Sequence, residues 1–249
     1  MEKKKTRYLK EMSWTEFDSR REKTELIIIP SGAFEVYGPH LPLGTDTLVS
    51  EKISEIVAEK MNGLIGPTLE VGDSSALNEF PGTITIKPEN FKEYMKDTVR
   101  SLQHWGYRKF LFLNTHKGNI PLIKQVMNEL ENVNESKFAQ IDYWRFLMGL
   151  DEGIIESEKW AHTHASEAGT SVMLHLYPEL VDVSKWVNEP PRFINKFPDI
   201  LNHSKFSNLT KSGTIGNATL GTKEKGEQLV NRSVNRIIDF LIEDWDLRK

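Results

Sequence analysis

The chain contains no cysteine. That absence excludes disulfides, thiolate nucleophiles and thiolate-held zinc, so any metal has to be held by His, Asp, Glu, Tyr or backbone oxygen. Long apolar runs are missing as well. Nothing approaches the ~18 consecutive apolar residues of a membrane-spanning helix, and the charged N-terminus lacks the apolar core of a signal peptide. The expected compartment is the cytoplasm, with no membrane partner. Charge of one sign is not in excess: 32 Lys and Arg face 36 Asp and Glu, a net charge of -4. Nucleic acid is therefore not an expected partner. The short run Lys3-Lys4-Lys5 reads as a solvated, frayed terminus.

What is present fits one α/β domain over residues 1–249, of which 38% are hydrophobic and 27% charged. A chain of this size can bury a sizeable core. Ser13 and Glu16 form a capping-box pattern, which predicts a helix to about Glu22. Leu26 to Pro30 is a β-branched apolar run and predicts a strand buried on both faces. A Gly- and Pro-rich loop from Ser31 to Thr45 follows. Asp46 then opens a helix to about Met61, with Leu48, Ile53, Ile56 and Val57 on one face. A short strand at Leu64–Gly66 and a long loop from Gly72 to Thr83 come next. They precede a helix from Pro88 to near Gly106, a strand from Phe110 to Asn114, a helix from Ile120 to Leu130 and a strand from Phe138 to Tyr143. Helices from Ser166 or Glu167 to Tyr177 and from Lys223 to Ile242 close the chain. Strands alternating with helices predict a mostly parallel sheet covered on both faces. Ligands in such folds bind at the carboxyl ends of the strands, where the loops after Pro30 and Asn114 begin.

Those loops hold the unusual chemistry. The first places Glu35, Tyr37, His40 and Asp46 on a backbone stiffened by Pro39 and Pro42. Two carboxylates converging in a crevice repel each other unless a cation lies between them, although Asp46 also reads as the cap of the helix it precedes. His116 sits at the end of the second apolar strand. Glu, Asp and His together make a common shell for zinc, manganese or iron. A third segment carries His162, His164 and Glu167, the last of which also suits a helix N-terminus.

Five blocks, in order along nearly the whole chain, resemble the creatininase (creatinine amidohydrolase) family. They are Ser31 to Glu35 with Gly38 to Pro42 and Asp46; Phe80 to Thr83; Asn114 to His116 with Gly118 and Asn119; His164 to Ser166 with Thr170 and Ser171; and Gly213 to Gly216 with Lys225 and Gly226. The resemblance implies a three-layer α-β-α sandwich, divalent metal at the carboxyl edge of the sheet, a metal-activated water, and assembly into homo-oligomers, often hexamers. By position, Glu35, Asp46 and His116 match the family's metal ligands, with Asp46 at the position that bridges two ions. Three departures accompany the match. Tyr37 stands where the family usually has His. Gly118 stands where creatininase itself has a metal-binding Glu, although many relatives also have Gly there, and Gly169 where a Glu commonly precedes the Thr-Ser pair. A phenol with a pKa near ~10 is a poor ligand. This pattern implies one firm site for Zn, Mn or Fe on Glu35, Asp46 and His116, with Glu167 a candidate fourth ligand or catalytic base, and it puts a second site in doubt.

The expected activity is hydrolysis of a small cyclic amide at its C–N bond. Glu167 or His164 would move the proton, and Tyr37 would donate to the developing oxyanion. His40, Asn114 and His162 are candidates for substrate binding or for holding the ligands in place. One alternative is hydrolysis of a C–C bond in a cyclic diketone of inositol breakdown, as in a branch of the family. Another is a degenerate relative that binds a small ligand without turnover. A third is an interaction subunit that uses Trp144, Phe146, Trp160 and Trp186 as exposed interface residues.

Overall fold

The computed structural model describes residues 6–131, 135–157, 159–194, 196–197, 199–200 and 204–248. The Lys3-Lys4-Lys5 run lies outside them. The centre is a parallel sheet of β1 (Leu26–Ser31), β2 (Leu64–Ile65), β3 (Lys109–Asn114) and β4 (Lys137–Asp142), in the order β2-β1-β3-β4. Side chains on a strand alternate between faces, and the core divides accordingly. Leu26, Ile28, Leu111 and Leu113 enter one hydrophobic cluster; Ile27, Ile29, Phe110 and Phe112 enter another. Each such side chain, fully withdrawn from water, contributes about 1.5–3 kcal/mol.

Helices cover both faces. On the first lie α2 (Thr45–Lys60), α5 (Tyr143–Leu147), α6 (Glu167–Leu176) and α7 (Lys223–Glu243), which contribute Ile53, Leu147, Val172 and Val234. On the second lie α3 (Pro88–His104), with Phe91, Met95 and Val99, and α4 (Ile120–Leu130), with Ile123 and Val126. Phe17 of α1 (Trp14–Arg21) packs beside them. A small antiparallel ribbon joins β5 (Asn188–Glu189) to β6 (Gly216–Asn217). The expected three-layer α/β sandwich is what the chain forms. No helix among the described residues is long and apolar enough to cross a membrane.

Several local expectations change. Ser13 Oγ accepts from the Glu16 amide at 3.2 Å, but the Glu16 carboxylate pairs with Arg20 at 2.7 Å rather than closing the capping box. Gly44 takes the capping position of α2, and Asp46 lies in its first turn with its carboxylate free for another role. Val49, Ile53 and Val57 bury fully, whereas Leu48 and Ile56 are only partly covered. Tyr143 leaves the strand to open α5, which is too short to show a period in sequence. Trp144, Phe146, Trp160 and Trp186 are half-buried rather than exposed, and Trp144 and Phe146 pack on the core.

The register positions the site. Ser31 lies opposite Asn114, and Asn114 opposite Asp142, so three strands end level with one another. The loops after β1 and β3 therefore leave the sheet side by side.

Candidate metal centre

Backbone cross-links hold these loops together. The Thr115 amide donates to Ser31 O at 3.0 Å, and its hydroxyl donates to Asp46 O at 2.7 Å. Asn114 Nδ2 donates to His116 O at 2.7 Å. Asn119 Nδ2 reaches Gly32 O at 2.9 Å, while its Oδ1 accepts from the Asp73 amide at 3.1 Å. Glu35 sits in an extended stretch flanked by Ile84 N donating to Phe34 O and Val36 N donating to Thr83 Oγ1. Each of the three side chains therefore projects from backbone tied to at least one neighbouring loop.

Glu35, Asp46 and His116 converge as expected: all three are buried, and one ligand atom from each lies within 4.8 Å of the others. His116 Nδ1 is 3.2 Å from Glu35 Oε2 and 3.4 Å from Asp46 Oδ2. The other ring nitrogen, Nε2, donates to Asp73 O at 2.8 Å. A carbonyl can only accept, so Nε2 carries a proton and Nδ1 faces the carboxylate side. Glu35 Oε2 also accepts from Ser74 Oγ at 2.6 Å, and Asp46 Oδ1 accepts from Trp144 Nε1 at 2.9 Å.

The electrostatics call for a cation. Two carboxylates ~5 Å apart repel by about 3 kcal/mol at the effective dielectric of a protein. Burial opposes charge on His116, yet Asp46 and Glu35 raise its pKa well above the ordinary histidine value. Burial likewise opposes ionisation of Glu35, but His116, His164 and Ser74 hold it below the ordinary carboxylate value. Asp46 is raised, first by burial, with Glu35 adding to the effect. A proton on His116 thus sits between the carboxylates where a divalent ion would also be welcome. Two carboxylate oxygens and one imidazole nitrogen suit zinc, manganese or iron.

Tyr37 and His164 adjoin this group. The Tyr37 ring lies 4.3 Å from the His164 ring at 34°. Burial raises the phenol pKa well above its ordinary value, and the charges of Asp46 and Glu35 raise it further. The phenol is thereby kept neutral and able to donate. His164 Nε2 donates to Val36 O at 2.6 Å, leaving Nδ1 3.9 Å from Glu35 Oε1. Trp160 and Ala165 adopt positive φ (62° and 52°) on either side of His162 and His164. Backbone strain of this kind costs on the order of 1 kcal/mol or more and often accompanies functional segments. The turn is pinned by Thr163 N donating to Trp160 O and by Ile215 N donating to His164 O.

The remaining candidates have other partners. Glu167 lies outside the three-residue group: its carboxylate accepts from the amides of Glu156 (2.9 Å) and Ser157 (2.8 Å) and from Lys225 Nζ (2.7 Å). His162 Nε2 pairs with Asp151 at 2.6 Å. His40 Nε2 bonds to Thr170 Oγ1 at 2.8 Å, and its Nδ1 is buried without a partner. Asn114 holds the His116 backbone. Of the two glycines at departed positions, Gly118 is confined and Gly169 is not. A Cβ on Gly118 would lie 2.1 Å from Asp73 O and 2.6 Å from His116 Nε2; one on Gly169 would meet Tyr37 Cε1 at 3.6 Å.

Sequence reasoning missed Asp73, Ser74 and Trp144. The length of the Gly72–Thr83 loop was a usable signal, because long irregular loops in compact domains are usually functional. Trp144 follows β4 at the same sheet edge that drew attention to His116.

The profile of the creatininase family, described as creatinine amidohydrolase, matches residues 10–241. Creatinine amidohydrolase of Pseudomonas putida is 27% identical over 97% of this chain and 98% of its own. Mycofactocin precursor peptide peptidase of Mycobacterium ulcerans is 27% identical over 85% and 84%. 3-Dehydro-scyllo-inosose hydrolase of Thermotoga maritima is 27% identical over 94% and 81%. The solved structure described as creatininase Mn superposes with a TM-score of 0.85 at 26% identity, covering 96% of this chain and 99% of that one.

Proposed function

The chain belongs to the creatininase family of hydrolases, and from that premise we propose that its single domain hydrolyses the C–N bond of a small cyclic amide with one divalent ion on Glu35, Asp46 and His116. The observation that carries this reading is the convergence of three buried ligand atoms within 4.8 Å, with His116 held so that Nδ1 faces both carboxylates. Support for one ion comes from Asp46, whose second oxygen is engaged by Trp144, and from the crowding at Gly118.

A bound Zn, Mn or Fe ion supplies a Lewis acid and lowers the pKa of a water toward ~7. The chain's own groups do the rest. Asp73 O and Asn114 orient His116, while Ser74 and Trp144 fix the rotamers of Glu35 and Asp46. Tyr37, neutral and buried, donates a hydrogen bond to the carbonyl oxygen as charge develops on it. His164, its Nε2 proton held by Val36 O, takes a proton at Nδ1 and delivers it to the leaving nitrogen. Glu167 we read as the anchor of the 156–157 backbone rather than as a ligand or base. His40 and His162 hold the surrounding loops. Exposed Phe193 and Ile194 support assembly into a homo-oligomer.

A second reading, C–C hydrolysis of a cyclic diketone, is favoured by the match to the inosose hydrolase. Both readings are tested by loading purified protein with Zn, Mn or Fe(II). It is then assayed against hydantoin, dihydrouracil, succinimide and creatinine, and separately against cyclohexane-1,3-dione and inosose-derived diketones. Amide opening that a chelator abolishes and metal restores is the expected result. Activity on the diketones alone would select the second reading. Stoichiometric metal with no turnover on either panel would point to a binding protein.

A further inference from the structure

The His164 imidazole is touched by a second aromatic ring besides Tyr37: Phe206 lies edge-on to it at 5.0 Å and 72°. Phe206 belongs to neither hydrophobic cluster, so core packing does not account for its position. It is half-buried, and its flanking residues are tied down. Glu79 accepts from Lys205 Nζ at 2.6 Å and from Ser207 Oγ, bracketing Phe206 on both sides in sequence. Phe80, next to Glu79, meets Phe206 edge-on at 6.0 Å. Just downstream, Glu189 accepts from Thr210 Oγ1 at 2.9 Å and from the Lys211 amide at 2.7 Å. The chain thus uses two carboxylates to hold a non-core ring against the imidazole beside Glu35.

Apolar side chains are also exposed on the backbone that pairs with Phe34 and Glu35. Ile84, bonded through its amide to Phe34 O next to Glu35, is 55% exposed, and Leu43, whose carbonyl accepts from the Glu35 amide, is 38% exposed. Glu79 and Lys205, beside Phe206, are paired with each other. A flat apolar face brought up to His164 would find the Phe206 ring beside it.

On the reading that Glu35, Asp46 and His116 form the hydrolytic centre, we infer that Phe206, braced by Glu79 and Phe80, is a specificity-determining wall that receives the flat face of a planar cyclic amide or imide. Phthalimide and succinimide share the reacting imide and differ in the aromatic face, so they isolate this contact. With zinc-loaded protein, calorimetry is expected to give a phthalimide Kd about tenfold below that of succinimide, the scale of one aromatic contact with its burial. Phe206→Ala should bring the two within about twofold of each other while zinc content and Tm stay unchanged. Phe206→Trp should keep the preference. If hydrolysis occurs, the same difference appears in KM, with kcat little changed. A preference that survives in Phe206→Ala, no preference in the wild type, or no binding of either imide would each overturn the inference. Failure of the hydrolase reading is distinct: both imides would bind with the predicted preference, yet neither would be opened.

Discussion

Gly118→Ala is the sharpest steric probe of the centre. The added methyl would sit 2.1 Å from Asp73 O and 2.6 Å from His116 Nε2. These are the two atoms joined by the 2.8 Å hydrogen bond that fixes the imidazole. Ordinary contacts between non-bonded heavy atoms lie near ~3.5 Å, so the carbonyl or the ring must move by about 1 Å, and the bond breaks or lengthens. Removing the partner that orients a metal-binding histidine typically weakens metal affinity ~10–100-fold, about 1.4–2.8 kcal/mol. Overpacking adds a cost in stability of about 1–3 kcal/mol. Competition titration of zinc against a calibrated chelator, beside thermal unfolding of the apoprotein, measures both. The expected result is weaker zinc binding within that range and a lowered Tm, with the far-UV spectrum unchanged. Wild-type zinc affinity in this variant would refute the assignment of Asp73 and His116 as a positioned pair.

Other perturbations separate the remaining roles. Tyr37→Phe should keep the bound ion but lower kcat ~10²–10³-fold, the usual loss for an oxyanion donor; an unchanged kcat removes the phenol from the mechanism. Glu167→Gln should leave metal content intact while lowering stability by about 1–3 kcal/mol, because it weakens the charge-assisted bonds to Lys225, Glu156 N and Ser157 N; loss of metal instead would restore Glu167 as a ligand. Burial pushes the His40 pKa down to about 4, below its unfolded value near ~6.5. The unfolded chain therefore binds the extra proton first, and stability falls as pH drops from ~6.5 to ~4, by at most about 3 kcal/mol. Denaturant unfolding across that window should show a shallower decline in His40→Asn, and equal slopes in the two proteins would contradict a neutral buried His40.

The parts of this protein legible in its sequence are those governed by short-range rules. The unbroken apolar runs of β1 and β3 announce strands buried on both faces, and the sheet-edge rule directs attention to Glu35 and His116. Asp46 was ambiguous because a carboxylate at the start of a helix can serve as a cap; only with Gly44 in that position does its carboxylate become free to face His116. The orienting groups were hidden for a different reason. Asp73 and Ser74, on one loop, and Trp144, on α5, lie 43, 39 and 98 positions away from the residues they hold, and no local pattern encodes such a meeting. Glu167 illustrates the same limit in reverse. Its neighbours in sequence made it look like a member of the site, while the lysine that engages it lies 58 residues further on. The tie from Glu79 to Lys205 and Ser207 spans more than 120 positions and likewise shows only in the folded chain.

The central claim is that one imidazole and two carboxylates grip a divalent ion, and zinc K-edge absorption spectroscopy on metal-loaded protein tests it most directly. The account predicts one tightly held zinc per chain, with a single imidazole and the remaining near scatterers oxygen at ~2.0–2.2 Å, and loss of that signal in His116→Ala. A spectrum requiring two or more imidazoles, or zinc retained unchanged in His116→Ala, would contradict it.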